Sequence, residues 1–413
     1  MAIQLLAIKF NHDPNSATGD ALNIRKNATQ FVNVPEWQRG VSVNPEDSPA
    51  AYSVGDTQGH TITIQAKFRS TGEVVNTAEI RAVDPVVDPP QPSGCAAFLL
   101  WLLRGILRAL FGNVLGEVKA QQVVFSAGGE TNFVTFELEH LRLWNAGVGV
   151  RTTTWRWQYR LQPGDPWTDF DTSTHRIYSV LKVPTLPWKQ TPYNSGNTQL
   201  PWTEVLDYSC GWALLKTNAA DAAERVTRNV FNLGPSVIEY DCPGGGSTHY
   251  ASGSFNCTAF LDRLRGGLGL GQYVNCTDCA TITSTFANVL GCDLWQSQMG
   301  WSFGLNPILG IGSSAWQPAC TIDYPDIWGT TGGFSYHEVA WEGACGADNH
   351  IWDACLEVDG DADPTTAPHT ALLPADMRFG NPGDGDYRDR LVPPATRPNC
   401  NPHPETKQRR AVI

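Results

Sequence analysis

Polar and apolar residues alternate through most of the first half of the chain. HTITIQAKFRS (60–70) keeps a period of two, and TAEIRAVDP (77–85) resumes it after a TGE turn. EVKAQQVVFSAGG (117–129), NFVTFELEHLRLWNAG (132–147), RTTTWRWQYRLQPG (151–164) and STHRIYSVLKVPTLPW (173–188) are strand-like runs parted by Gly, Pro and Asp. Many short strands at this spacing predict an antiparallel β-sandwich over residues 1–188. No run in this half resembles a catalytic motif.

One segment departs from the pattern. VVDPPQPSGCAAFLLWLLRGILRALFGN (86–113) predicts an inserted apolar helix near 95–112, after a Pro-rich loop. Arg104 and Arg108 stand four residues apart and share one helix face, while Phe98, Trp101, Leu102 and Leu110 fill another. The run is too short and too charged to span a bilayer comfortably. Residues 96–111 read either as a membrane-surface or partner-docking helix, or as a helix packed over an edge of the sandwich. Apolar stripes at helical spacing usually belong to a core, which favours the second reading.

After the Pro-bounded linker LPWKQTPYNSGNTQLPW (186–202) the periodicity turns helical. In CGWALLKTNAADAAERVTRNVFNLG (210–234), Ala219, Ala222, Ala223, Val226 and Val230 recur at helical spacing, and Gly234 is a stop. CPGGGSTHYASG (242–253) lacks the Lys-Ser/Thr ending of a phosphate loop and reads as a flexible connection. A short helix from Cys257 runs into glycines 266, 267, 269 and 271, and a second helix spans 276–292. SYHEVAW (335–341) and HIWDACLEV (350–358) alternate as two strands of an antiparallel hairpin. This organisation gives an α+β domain over 189–364. A Pro- and Gly-rich C-terminal tail over 365–413 is expected to wrap the surface and fray, with its KQRR patch solvated.

Composition narrows the partners. A chain of 413 residues suits two domains, and a net charge of −12 argues against nucleic acid or an anionic membrane as the partner of the whole molecule. MAIQLLAIKFNHD has no basic region and no small-residue cleavage site, so no secretory signal is read. With no spanning helix either, the expectation is a cytoplasmic protein or one exported by a signal-independent route. Of the 11 cysteines ten follow residue 200, and reduced thiols are the default.

GQYVNCTDCATI (271–282) carries the chemistry that stands out. Cys276 falls at a helix start, where free N–H groups and the positive end of the dipole stabilise a thiolate and bind an oxyanion. A nucleophilic cysteine needs a base and a group to orient it. On the predicted hairpin His337 and Asp353 lie side by side, with Trp341 and Trp352 as apolar cover. That assigns Cys276 as nucleophile, His337 as base and acid, and Asp353 as orienter.

CTDCA, HEVAW and WDAC, in this order, resemble the cysteine, histidine and aspartate segments of the transglutaminase-like (papain-like cysteine) superfamily over residues 205–360. The resemblance implies a papain-like α+β domain after the sandwich. It also implies acyl transfer at an amide of a protein or peptide substrate, by a transglutaminase, deamidase or cysteine protease. Asp278 and Ala280 fall on helix positions of its signature. Asn275 and Thr277 flank the cysteine where the tissue-type enzymes carry Gln and Trp, and Glu338 follows the histidine where Ala is frequent; the acyl acceptor stays open. The backbone N–H of Cys276, with Gln272 or Tyr273, is the expected oxyanion pocket. No cofactor and no metal is expected.

Rival readings stay beside this one. A CxxC pair can bind zinc, but zinc takes four ligands and the usual second pair is absent, although Cys257 or Cys292 could be recruited. A redox pair needs a βαβ setting, and Cys279 alone reads as an inert core thiol. His350 is a rival base and Asp359 a rival orienter. Asp359, Asp361 and Asp363 alternate as in a calcium loop but lack its closing Glu. The alternative function is a catalytically silent structural, cargo or effector protein, bacterial or phage-borne, that keeps the thiol fold as a binding scaffold.

Overall fold

The computed structural model describes residues 2–13, 19–41, 44–72, 75–86, 113–190, 199–241, 246–314, 316 and 333–413. The expected helix near 95–112 lies outside them. The chain forms two compact units, one of residues 1–26, 30–183 and 190–203, the other of 27–29, 184–189 and 204–413. It is a mixed α+β protein with large sheets and few helices. Among the described residues no helix is long and apolar enough to cross a membrane.

The first unit is built on nine strands: β1 (Ala2–Lys9), β2 (Trp37–Gln38), β3 (Ala50–Ser53), β4 (Thr63–Thr71), β5 (Thr77–Val83), β6 (Glu117–Val124), β7 (Val134–Glu139), β8 (Gly149–Arg160) and β9 (Thr168–Val180). They form one continuous sheet, in the order β2-β1-β4-β7-β6-β5-β8-β9-β3. Every pairing is antiparallel except β3 on β9. The sequence pattern suggested a sandwich; here the sheet continues through the β6–β7 pair and folds over on itself. Aromatic residues meet across the fold. Phe10 stacks on Trp155 at 5.9 Å, and Phe68 meets Trp157 edge-on at 5.6 Å. The turn into β6 requires Gly116, at φ +68°, because a Cβ there would stand 2.0 Å from the Glu139 carbonyl oxygen.

At the end of β1 two buried carboxylates do the work of a missing strand. Glu36 accepts the N–H groups of Phe10 and Asn11, each at 2.9 Å, and Asp20 accepts those of His12 and Asp13 at 2.9 and 2.6 Å. Burial pushes both carboxyls up to about 7, against the pull of those amides.

The second unit holds β10 (Glu239–Tyr240), β11 (Tyr273–Val274), β12 (Trp295–Met299), β13 (Phe303–Gly304), β14 (Leu309–Gly310), β15 (Gly333–Phe334), β16 (His337–Trp341), β17 (His350–Trp352), β18 (Leu356–Asp359), β19 (Ala371–Leu372), β20 (Ala375–Arg378) and β21 (Pro402–Gln408). Five of these make an antiparallel sheet in the order β20-β17-β16-β12-β21. The helix Cys276–Asn288 packs on β16 and β12, and all 13 of its residues are buried. The helix Ala219–Phe231 covers it with Ala222, Ala223, Val226, Thr227 and Val230, a stripe at helical spacing.

Residues 365–413 are no fraying tail. They supply β20 and β21 on the two edges of the sheet, and Tyr387, Leu391, Cys400 and Val412 are buried. Pro and Gly mark the turns between these pieces, and low periodicity hid strands that pair only with distant partners. The KQRR patch is not wholly solvated either, since Arg410 is buried.

The Asp20 and Glu36 carboxyls bind their protons more tightly folded than unfolded. The stability they contribute is complete below their free values of 3.8 and 4.5 and is lost as pH rises through about 7. Thermal unfolding of the first unit is therefore expected at lower temperature at roughly pH 8 than at roughly pH 5. Asp20→Asn with Glu36→Gln should flatten that dependence.

Candidate active site

Cys276 is the first residue of its helix, and the turn around it is closed by side chains. Asn275 caps the helix by accepting the Asp278 N–H at 3.0 Å, while Asp278 returns a bond to the Asn275 N–H at 3.1 Å. The Asp278 carboxylate also accepts the amides of His249, Tyr250 and Ala251 at 3.0, 2.8 and 2.8 Å. Burial raises this carboxyl above its ordinary range, and the four amides oppose the rise. Upstream, β11 pairs in parallel with β10, so Tyr240 stands opposite Val274. The Cys276 thiol is free and 5% exposed.

His337 opens β16, and Asp353 follows β17. The register Ala340↔Trp352 and Trp341↔Ile351 runs antiparallel, so one step further Asp353 lies opposite Val339 and diagonal to His337. The imidazole Nε2 meets Asp353 Oδ2 at 2.9 Å, with both residues buried. Tyr387 donates its hydroxyl to the same oxygen at 2.7 Å, and the Cys355 N–H reaches Oδ1 at 2.8 Å. The Asp353 carboxylate is thus held on both oxygens. Phe334 lies flat on the imidazole, with centroids 5.0 Å apart and planes 7° from parallel.

The second ring nitrogen of His337, Nδ1, is buried and makes no hydrogen bond. Burial alone pulls this imidazole down. The Asp353 carboxylate, and after it the nearby Cys276 thiol, outweigh burial and push it up to about 10. Sulfur and imidazole are thus within reach of each other.

Other expected roles fall elsewhere. The Gln272 side chain is exposed and donates to Glu239 Oε1 at 2.7 Å, which spends its amide on the surface. The Tyr273 ring stands 6.2 Å from that of His249. Two phenols that sequence reasoning missed interact with the thiol. Tyr240 is held well above its ordinary value, first by burial and then by Cys276 and Cys355. Tyr336 is raised by burial and bonds Thr277 Oγ1 at 3.3 Å. Tyr240 lies on an unremarkable stretch, and Tyr336 directly precedes His337 in SYHEVAW, but no motif signals either phenol.

Apolar cover comes from Phe334 rather than Trp341, whose indole N–H donates to the Ser297 carbonyl at 3.1 Å beside Phe379. His350 binds Asp376 at the surface at 2.6 Å, and Asp359 binds His369 at 2.6 Å. Asp359 Oδ1 accepts the N–H groups of Asp361 and Thr370, as in a self-bonded turn. Cys279 faces Cys355, a thiol–thiol contact in the core. Among the described residues the group able to gather round a metal is Glu117, Glu139 and His140, in the first unit.

No protein-family model matches the chain, and no curated protein matches it. The solved structure of red sea bream transglutaminase is similar at 10% identity and a TM-score of 0.37, over 76% of this chain and 50% of that one. This chain therefore spans about half the length of that protein. A likeness so slight carries no weight for chemistry.

With its pKa raised, the His337 imidazolium contributes stability that is complete below 6.5 and is lost as pH rises through about 10. In nitrogen NMR His337 is expected to stay protonated well above neutrality. Asp353→Asn should lower its midpoint, because the largest influence that raises it is then removed.

Proposed function

We propose that the second unit is a thiol acyl-transfer enzyme acting on amide bonds, with Cys276 as nucleophile, His337 as acid and base, and Asp353 as orienter. The observation that carries this reading is the direction of the imidazole. Its Nε2 is bound to a buried carboxylate 2.9 Å away, and the ring also interacts with a thiol that stands at a helix N-terminus.

The thiolate of Cys276 attacks the amide carbonyl carbon, and the C–S bond forms as the carbonyl π pair moves to oxygen. His337 Nδ1–H then protonates the nitrogen as the C–N bond breaks, which leaves a thioester. Water or an amine gives its proton to Nδ1 and attacks the thioester, and the C–S bond breaks to release the thiolate. The helix-start N–H of Cys276 faces the oxyanion, and the Tyr240 hydroxyl supplies the second donor in place of Gln272 or Tyr273. Asp353, held by Tyr387 and the Cys355 amide, keeps the ring in the productive tautomer. Transamidation, deamidation and proteolysis share these steps and differ in the acceptor.

One observation favours a second reading, a silent scaffold: the nucleophile is only 5% exposed. Activity separates the two. With casein as substrate and a fluorescent amine as acceptor, Cys276→Ala is expected to abolish amine incorporation and hydrolysis alike. Tyr240→Phe should lower kcat by about 10²–10³-fold with KM little changed. An unmodified chain that transfers to neither amine nor water, and whose Cys276 resists iodoacetamide, would leave the scaffold.

A further inference from the structure

The residues that directly follow the nucleophile and the base are tied to one buried guanidinium. Thr277 donates its hydroxyl to Glu338 Oε2 at 3.0 Å. Arg410 grips Glu338 in a fork, Nη1 to Oε1 at 2.5 Å and Nη2 to Oε2 at 3.2 Å. Arg410 Nη1 also reaches Thr281 Oγ1 and Gln296 Oε1, both at 3.0 Å, and its backbone N–H returns to Gln296 Oε1 at 3.1 Å. Gln296 Nε2 in turn donates to Ser284 Oγ at 2.8 Å. Glu338 is 1% exposed and Arg410 8%.

From this junction we infer that Arg410 is a positioning residue for the proposed thiol site. Directly at Thr281, and through Glu338 at Thr277, it holds the first two turns of the cysteine helix against β16 at Glu338 and β12 at Gln296. One peptide bond from this clamp lie Cys276 on one side and His337 on the other. The inference rests on the thiol-site reading and assigns no contact with substrate to Arg410.

Three considerations carry it. An ion pair this deeply buried is a poor stabiliser compared with apolar side chains of the same volume, so its use lies in the geometry it imposes. Only a planar fork reaches both oxygens of Glu338 and two further acceptors at once; a lysine offers a single ammonium in place of the fork. The pair is also neutral as a unit. Removing Arg410 alone leaves a carboxylate beside the helix turn that carries the thiol, and that charge opposes thiolate formation. Removing both partners deletes the charge but also the clamp.

The test follows iodoacetamide alkylation of Cys276 in the full chain, by peptide mass spectrometry, across a pH series. Arg410→Gln is expected to slow alkylation at least about tenfold and to move its midpoint to higher pH. Glu338→Gln with Arg410→Gln should bring the midpoint back while the rate stays low. Thr277→Val keeps the ion pair and nearly the same shape, so it covers the case in which the Arg410 variants do not fold. It should slow alkylation without lowering the melting temperature by more than a few degrees. If folded Arg410→Gln or Thr277→Val reacts at the native rate and midpoint, the clamp is overturned and the thiol site stands. If Cys276 of the native chain reacts no faster than Cys279, both fall together.

Discussion

A helix that starts deep inside a protein leaves its first N–H groups with no water to bind, and the second unit is organised around that problem. The helix Cys276–Asn288 is buried on every side. Its N-terminus is therefore closed by Asn275 and by Asp278, whose single carboxylate collects four amides from two stretches of chain. Hydroxyls further along turn inward in the same way: Thr281 and Ser284 donate to carbonyls one turn earlier, at 2.7 and 2.8 Å. A thiol placed at this N-terminus inherits the field of an unusually dry helix end.

The same dryness governs the imidazole. In water a histidine and an aspartate would attract each other weakly. At 2.9 Å, with both side chains out of solvent, their attraction overcomes the burial that would otherwise discharge the ring. The pair survives because no polar atom of the carboxylate is left over: Tyr387 and the Cys355 amide take the remaining positions. Tyr387 comes from a segment that reads as a tail, so the integrity of the site reaches far beyond the stretch that carries its motifs.

In the first unit the balance is different. Nine strands share one sheet, and the aromatic faces of Phe10, Phe68, Trp155 and Trp157 fill the space where it folds over. Polar groups there serve the backbone. Glu36 and Asp20 satisfy four consecutive amides that no strand reaches, at the expense of two carboxyls that resist ionising.

Local patterns determined a good deal. Alternation in 60–70, 77–85, 117–124 and 151–160 marks strands because period-two side chains need a buried face and a wet one. The glycines before Cys276 and the Asn275–Asp278 spacing mark a helix start because caps are local chemistry. What sequence could not determine is whatever depends on partners distant in the chain. The fold-over of one sheet, the edge strand 402–408 and the Arg410–Glu338 pair all arise from long-range contacts. A hydrogen bond across 72 residues leaves no period in the chain. Only the closed tertiary packing, where an unpaired polar group has no water to turn to, decides which distant side chain must answer it.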